Sequence, residues 1–530
     1  MRVESFVMEN ASGMVGRRAR LGRRARLLLA SGGALIVATA SGGLVPPVAA
    51  AAAAQSGAAI TASPAPAKVE ARALRDSEDG QRASVMIVLR EQADLRQAAK
   101  IKNADARGVA VYQALTATAS RTQGPILDLL RRRGLTYKSF SVANVIAAAC
   151  DRETLLLLAA RPEVRLIEAS VEQPFLEPPA IAALTPTPEY LSPATIEWGV
   201  QNVGAPQVWD RGAFGQGIVI ADADTGLQWD HPALKARYRG WNGSSADHGY
   251  SWHDAVHEGT GNPCGINTTA PCDDNGHGTH TAGTSVGDDG MGNRIGVAPG
   301  ARLIACRNMD RGNGTPTRYT ECFQFFIAPT DLMGQNPKPE LRPHVINNSW
   351  GCTTGEGCAP TTLQLIVENT QAAGIFVEAS AGNSGPGCGT VSDGPALFAA
   401  AFSTGAHDNA NKLANFSSRG PVTSDGSLRS KPEVTAPGVR VRSSVRGSAY
   451  AQLSGTSMSG PHVVGVVALL WSARPELSRD VEATKELLKA SARPDVGLRG
   501  VESCGGLPSD FVPNNTFGYG RVDALRAVTW

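Results

Sequence analysis

Beyond residue 198 the chain alternates two kinds of stretch. Short unbroken apolar runs, "GIVIADA", "ARLIAC", "HVINNSW", "GIFVEAS" and "AAFSTGA", are separated by segments with helical spacing of apolar positions. A strand buried on both faces reads as continuous apolar sequence, so this alternation predicts a mostly parallel sheet in an α/β domain. The pattern runs to Trp530, and one domain is expected over 195–530.

The earlier chain is patterned differently. "ASVMIVLR" at 83–90 reads as a strand, followed by a long helical stretch, "GVAVYQALTATASRTQGPILDLLRRRG". "YKSFSVANVIAAAC" predicts two short strands with Ala143 and Asn144 at the turn. "DRETLLLLAARPEV" predicts an amphipathic helix, and "VRLIEAS" a closing strand. The order β-α-β-β-α-β is ferredoxin-like, so a small α+β domain is expected over 83–172. Six prolines between 172 and 196 exclude a helix or central strand there, and 173–194 reads as an extended linker.

The first fifty residues change the picture. Arg17, Arg18, Arg20, Arg23, Arg24 and Arg26 precede an apolar run, "LLLASGGALIVATASGGLV", and then "PPVAAAAAA". That is the order of a secretory signal, expected over 1–54, with an Ala/Pro/Ser-rich and then polar linker at 55–82. An uncleaved membrane anchor is the alternative, disfavoured by the glycines, serines and following alanines. Of nine cysteines, eight lie beyond residue 260 and Cys150 stands apart. An even set suits disulfides in an exported protein. Local pairing is expected: Cys264–Cys272, Cys306–Cys322, Cys352–Cys358 and the remaining Cys388–Cys504. A formal net charge of +2 over 530 residues points to no nucleic-acid partner.

Polar residues gather in four stretches. In "IVIADADTGLQWDHPAL" an apolar strand runs into Asp224, at the edge where parallel sheets place their ligands. "DDNGHGTHTAG" sets His277 and His280 three apart, and a zinc-binding helical pair would have i, i+4 spacing and an intervening glutamate. "LSGTSMSGPHVVGVVALLWSA" places Ser457 before an apolar helix whose first turn carries Pro461, and a helix N-terminus favours negative charge developing beside it. An ordinary N-cap is the plainer role for that serine. "ASAGNSGPG" sets Asn383 in a small-residue turn, where an amide could serve an oxyanion.

Taken in order, "DTG", "GHGTHTAGT", "SAGNSG" and "SGTSMSGPHVVG" resemble the signatures of subtilisin-like serine proteases over roughly 195–530. "RYTECFQFFIAPTDLM", "VINNSWGC" and "DTGLQWDHPAL" are more similar to the bacillopeptidase F branch. The resemblance implies a three-layer domain around a mostly parallel sheet. It makes Ser457 the nucleophile, His277 the general base and Asp224 the carboxylate that orients it, with Asn383 donating to the oxyanion. His280 and His231 would then be packing residues. Ser349, Trp350 and Gly351 resemble the edge strand that pairs with substrate, and Ala379, Ser380, Ala381 and Gly382 a wall of the primary pocket. Trp350 could instead be a core indole.

Further expectations follow from the resemblance. Asp288, Asp289 and Asn293 lie where relatives hold an ion and offer oxygens suited to structural calcium, although a solvated turn would use them equally well. No cofactor is implied for the chemistry. The 83–172 segment is similar to inhibitor-type propeptides, implying a secreted, monomeric endopeptidase made as a pre-pro-enzyme. It would act on protein or peptide substrates, be inhibited by its own propeptide, and keep no membrane association once the signal is removed. Self-cleavage would fall in 173–194, with Tyr190-Leu191 as one candidate bond, leaving eight cysteines. One departure stands out: Asp222 occupies a usually apolar position. It is either a second buried carboxylate or an exposed one on a splayed strand.

Overall fold

The computed structural model describes residues 65–174, 195–259, 261–498 and 502–530. The expected signal segment, the start of the 55–82 linker and the Tyr190-Leu191 bond lie outside the described residues.

Four strands, β1 (Ala83–Leu89), β2 (Tyr137–Phe140), β3 (Val145–Cys150) and β4 (Val164–Ala169), form an antiparallel sheet in the order β2-β3-β1-β4. The long helical stretch is two helices, α1 (Ala104–Thr122) and α2 (Gly124–Arg132). Pro125 explains the break, because it has no N–H and its ring collides with the carbonyl four residues back. Asn144 takes the left-handed conformation (φ 48°) in the turn between β2 and β3. A third helix, α3 (Arg152–Ala160), is capped by the Asp151 carboxylate. Packing begins before residue 83, which shortens the expected linker. Val69 bridges to Ile167, and Ala73 is fully buried against the sheet.

The larger sheet has seven strands, all parallel. They are β6 (Val219–Asp224), β7 (Trp252–Asp254), β8 (Arg302–Arg307), β10 (Val345–Asn348), β11 (Phe376–Ser380), β12 (Phe402–His407) and β13 (Val434–Pro437). A short strand, β9 (Asn313–Gly314), lies outside the sheet. The sheet order is β13-β12-β11-β10-β6-β8-β7. Successive residues of one strand feed different cores, as the two-residue repeat requires. Ala221, Ala223, Ile346 and Val377 join one core, whereas Ile220, Val345 and Phe376 join the other. Helices on both faces make the first and third layers.

One face carries α4 (His277–Val286) and α7 (Thr456–Ala473), packed against each other and the sheet. Helix α7 is apolar all round because it is buried all round. The opposite face carries α5 (Pro316–Ile327) and α6 (Gln364–Ala372), and the N-terminal domain docks on these. Asn369 Nδ2 donates to the Val142 carbonyl (2.7 Å), Ser141 N donates to Gln324 Oε1 (2.6 Å), and Thr362 Oγ1 donates to Glu168 Oε1 (2.8 Å). Beyond β4, a two-residue strand β5 (Gln173–Pro174) pairs antiparallel with β9.

The eight later cysteines pair as the local reading expects: Cys264–Cys272, Cys306–Cys322, Cys352–Cys358 and Cys388–Cys504. Cys150 is buried and free within the N-terminal domain, and burial pushes its thiol up to about 12.

Candidate active site

Asp224 is the last residue of β6 and His277 the first of α4, and the fold joins them. His277 Nδ1 lies 2.8 Å from Asp224 Oδ1 and 3.0 Å from Oδ2, with both residues buried. The turn after Asp224 makes this approach feasible. Gly226 has φ +119°, and a Cβ there would sit 1.9 Å from the Cys272 carbonyl. A Cβ on Gly278 would meet the Gly226 carbonyl at 2.2 Å, so a larger residue would push α4 off the strand end. Burial raises the Asp224 carboxyl above its ordinary range, opposed by the His277 ring as charge and hydrogen-bond partner.

Asp273 is the positioning residue that the sequence reading passed over. Its Oδ1 accepts from the N–H groups of Asn275 (3.0 Å) and Gly276 (2.7 Å) and from Thr225 Oγ1 (2.9 Å). Its Oδ2 accepts from Thr279 N (2.9 Å) and Thr279 Oγ1 (2.6 Å). One carboxylate thus satisfies orphan donors of the first turn of α4 and ties it to the residue after Asp224. An aspartate just ahead of a helix is itself a capping signal, and that clue was available.

His280 packs, as expected. It is fully buried, with Nε2 facing the carbonyls of Val441 (3.0 Å) and Ala451 (3.2 Å), and burial pushes it down to about 3. His231 is likewise structural, buried with Nε2 on the Ala449 carbonyl (3.0 Å).

Ser457 is the second residue of α7, and Pro461 lies beyond the first turn rather than within it. That placement has a use. A helical carbonyl accepts from the N–H four residues on, and for Ser457 that residue is Pro461, which has none. Ser349 Oγ donates to the Ser457 carbonyl instead (3.0 Å), while Ser457 Oγ donates to the Ser349 carbonyl (3.2 Å). Ser349 follows β10, the neighbour of β6, so the serine is held at the same strand edge as Asp224.

Asn383 sits in the turn after β11 with its Oδ1 accepting from Thr456 N (2.9 Å) and Thr456 Oγ1 (3.0 Å). A backbone N–H can only donate, so the amide oxygen is fixed on that side and the amino group takes the other. Asp224, His277, Asn383 and Ser457 thus all lie at one edge of the sheet, at or just after the ends of β6 and β11 and at the starts of α4 and α7.

The expected substrate-binding segments flank this edge. Ser349 and Gly351 follow β10, Ala379 and Ser380 end β11, and Ala381 and Gly382 follow it. Gly382 turns away with φ +102°. Of the two roles open to Trp350, the structure shows the core one. Its ring stacks on Tyr319 at 3.8 Å, its Nε1–H donates to the Ala223 carbonyl (3.0 Å), and it is 2% exposed.

Two of the three calcium candidates, Asp289 and Asn293, are engaged by protein groups. Asp289 Oδ1 accepts from Met291 N and Asn293 N, and its Oδ2 from Asn293 Nδ2 (2.6 Å) and Tyr450 Oη (3.1 Å). Asn293 Oδ1 faces the Arg442 guanidinium at 2.6 Å. Converging donors and a fixed cation do not fit a calcium cage in this arrangement.

The family model described as the subtilase family matches residues 215–520, which takes in Asp224, His277, Asn383 and Ser457. The chain belongs to that family. Among curated relatives, bacillopeptidase F of Bacillus subtilis is 36% identical over 441 residues, 79% of this chain but only 28% of its own length. A thermostable alkaline protease of Halalkalibacterium halodurans is 31% identical over 342 residues, 64% of this chain and 76% of the relative. Subtilisin E of Bacillus subtilis is 28% identical over 369 residues, 69% and 80% of the two chains. This subtilase thus spans little more than a quarter of bacillopeptidase F, and that alignment is longer than the matched domain, reaching beyond its limits.

Proposed function

We propose that this subtilase is a secreted serine endopeptidase, made as a pre-pro-enzyme, that hydrolyses peptide bonds of protein or peptide substrates. The observation that carries the reading is the buried Asp224–His277 pair at the same sheet edge as a serine near a helix N-terminus. A serine hydroxyl needs a neighbouring base to attack an amide at neutral pH. His277 takes the Ser457 proton as Oγ bonds to the scissile carbonyl carbon, then returns it to the leaving amine. Asp224 holds Nδ1–H, which fixes the tautomer presenting Nε2 and stabilises the imidazolium as it forms. Asn383 and the Ser457 N–H stabilise the oxyanion of the tetrahedral intermediate. Water, activated in the same way, then releases the acyl group.

The N-terminal domain is read as the propeptide and intramolecular inhibitor. Its last described residues, Gln173–Pro174, add a strand to Asn313–Gly314, the mode by which an extended peptide binds a sheet edge. Export is supported by the four disulfides, which persist in oxidising compartments. The mature enzyme is read as a monomer without membrane attachment.

The test compares secreted wild type with Ser457→Ala by intact mass and N-terminal sequencing. Wild type should lose the N-terminal domain by cleavage within 173–194, while the variant loses only its signal. A variant trimmed like wild type would reject self-processing, and casein hydrolysis would then decide activity.

A further inference from the structure

We propose that Asp222 is a neutral carboxylic acid and a positioning residue that clamps the His277 helix to the Ser457 backbone. The inference rests on the triad reading above. Asp222 stands two residues before Asp224 on the same face of β6 and is 1% exposed, which settles its two sequence readings for burial.

Its hydrogen bonds define the clamp. Asp222 Oδ1 accepts from Asn347 Nδ2 (2.9 Å), and its two oxygens lie 3.2 and 3.1 Å from Thr281 Oγ1. Thr281 stands one turn beyond His277 on α4. Asn347 Nδ2 also donates to Ser349 Oγ (3.0 Å), which donates to the Ser457 carbonyl. A continuous chain therefore runs from α4 through Thr281, Asp222, Asn347 and Ser349 to the nucleophile's own peptide, independent of the Asp224–His277 contact.

The charges around Asp222 argue for the proton, and the hydrogen bonds accommodate it. Thr281 Oγ1 has one hydrogen and also lies 3.0 Å from the Gly278 carbonyl, which can only accept. That hydrogen can go to the Gly278 carbonyl or to Asp222, and a protonated carboxyl lets both contacts be hydrogen bonds at once, Thr281 donating to Gly278 and accepting from Asp222. The charged groups around Asp222 are Asp224 on its own strand, Glu378 on β11 and His277 on α4. His277 is already committed to Asp224. Glu378 is buried too, with no ion pair among the described residues, and three buried anions cannot share one imidazole. Burial and the Asp224 charge both push the Asp222 carboxyl well above its ordinary range.

The proton is functional in this position. An ionised Asp222 would place a second negative charge beside His277 and make the imidazole a weaker proton donor to the leaving amine. A neutral acid holds the same geometry without that charge.

Two substitutions separate the clamp from the charge. Asp222→Asn presents an acceptor to Asn347 and a donor to Thr281, as the protonated acid does. Asp222→Val fills the space without either. In the Ser457→Ala background at neutral pH, the infrared difference spectrum between protein retaining Asp222 and the D222N variant should show loss of a protonated-carboxyl C=O band. In active enzyme, D222V should lower kcat by about 10- to 100-fold with KM held, since small misplacement of reacting groups costs this much. D222N should recover most of that loss and keep the acid limb of the kcat/KM profile in place.

Three results would overturn the proposal. They are no protonated-carboxyl band lost in D222N, an acid limb moved down by about one pH unit in D222N, as removal of a nearby anion demands, or a D222V enzyme as active as wild type. Should D222V fail to fold, the D222N spectrum and profile decide. An active Ser457→Ala enzyme would instead refute the triad reading itself.

Discussion

The reciprocal bonds between Ser349 and Ser457 yield the sharpest stability prediction. Pro461 cannot donate to the Ser457 carbonyl, so Ser349 Oγ supplies the hydrogen bond at 3.0 Å in a site where Ser349 is wholly buried. Ser349→Ala should leave that carbonyl buried and unsatisfied, at a cost of about 1–3 kcal/mol. Pro461→Ala restores an N–H at the helical position. In the P461A background the same serine substitution should therefore cost at least about 1 kcal/mol less. The cycle is measured by urea unfolding of the four forms, all carrying Ser457→Ala. That change removes autolysis and leaves the backbone carbonyl in place. Distant, independent sites add within about 0.5 kcal/mol. If Ser349→Ala costs the same with and without the proline to within that figure, the carbonyl is not orphaned, and the account of how α7 seats its serine is wrong.

Asn383→Ala should lower kcat with little change in KM; the scale, about 10²–10³, is borrowed from the equivalent donor in subtilisin, and a loss below tenfold in steady-state kinetics would remove the amide from the oxyanion role. His280 is held neutral at about 3 and His462 at about 4 by burial, both below the ordinary histidine value, so the unfolded chain binds protons that the native chain refuses. Stability should thus be full above about pH 6.5 and fall by about 1.4 kcal/mol per pH unit for each such histidine on acidification, and His280→Gln should flatten denaturant midpoints against pH by one such increment. Cys388–Cys504 closes a separation of 116 residues and Cys352–Cys358 one of 6, so loop entropy predicts that C388S/C504S costs about 4–5 kcal/mol against about 2 for C352S/C358S; equal midpoint shifts would reject that explanation.

Much of this protein is legible in the linear chain because its signals are local. Unbroken apolar runs marked five of the seven sheet strands, since a strand covered on both faces has no polar side to interrupt it. The strands at Trp252–Asp254 and Val434–Pro437 escaped, being too short to show a period. Pro125 broke a helix that the apolar spacing alone would have continued. The residue types at Asp224, His277, Asn383 and Ser457 announced their chemistry through small-residue turns and a helix start.

What the chain could not show was which side chains meet. Asp273 reads as a loop acid until α4 forms and its orphan N–H groups converge on it. Trp350 was open between subsite and core until Tyr319, distant in sequence, stacked on its ring. The calcium candidates had suitable oxygens, but Arg442, 149 residues after Asn293, turned out to face one of them. Asp222 was ambiguous because a strand's two faces are equivalent until a sheet chooses its coverings. Composition and period determine which elements form and where charge is scarce. Burial, partnership and protonation depend on contacts between residues far apart in sequence, and these exist only once the strands have been ordered and the helices laid across them.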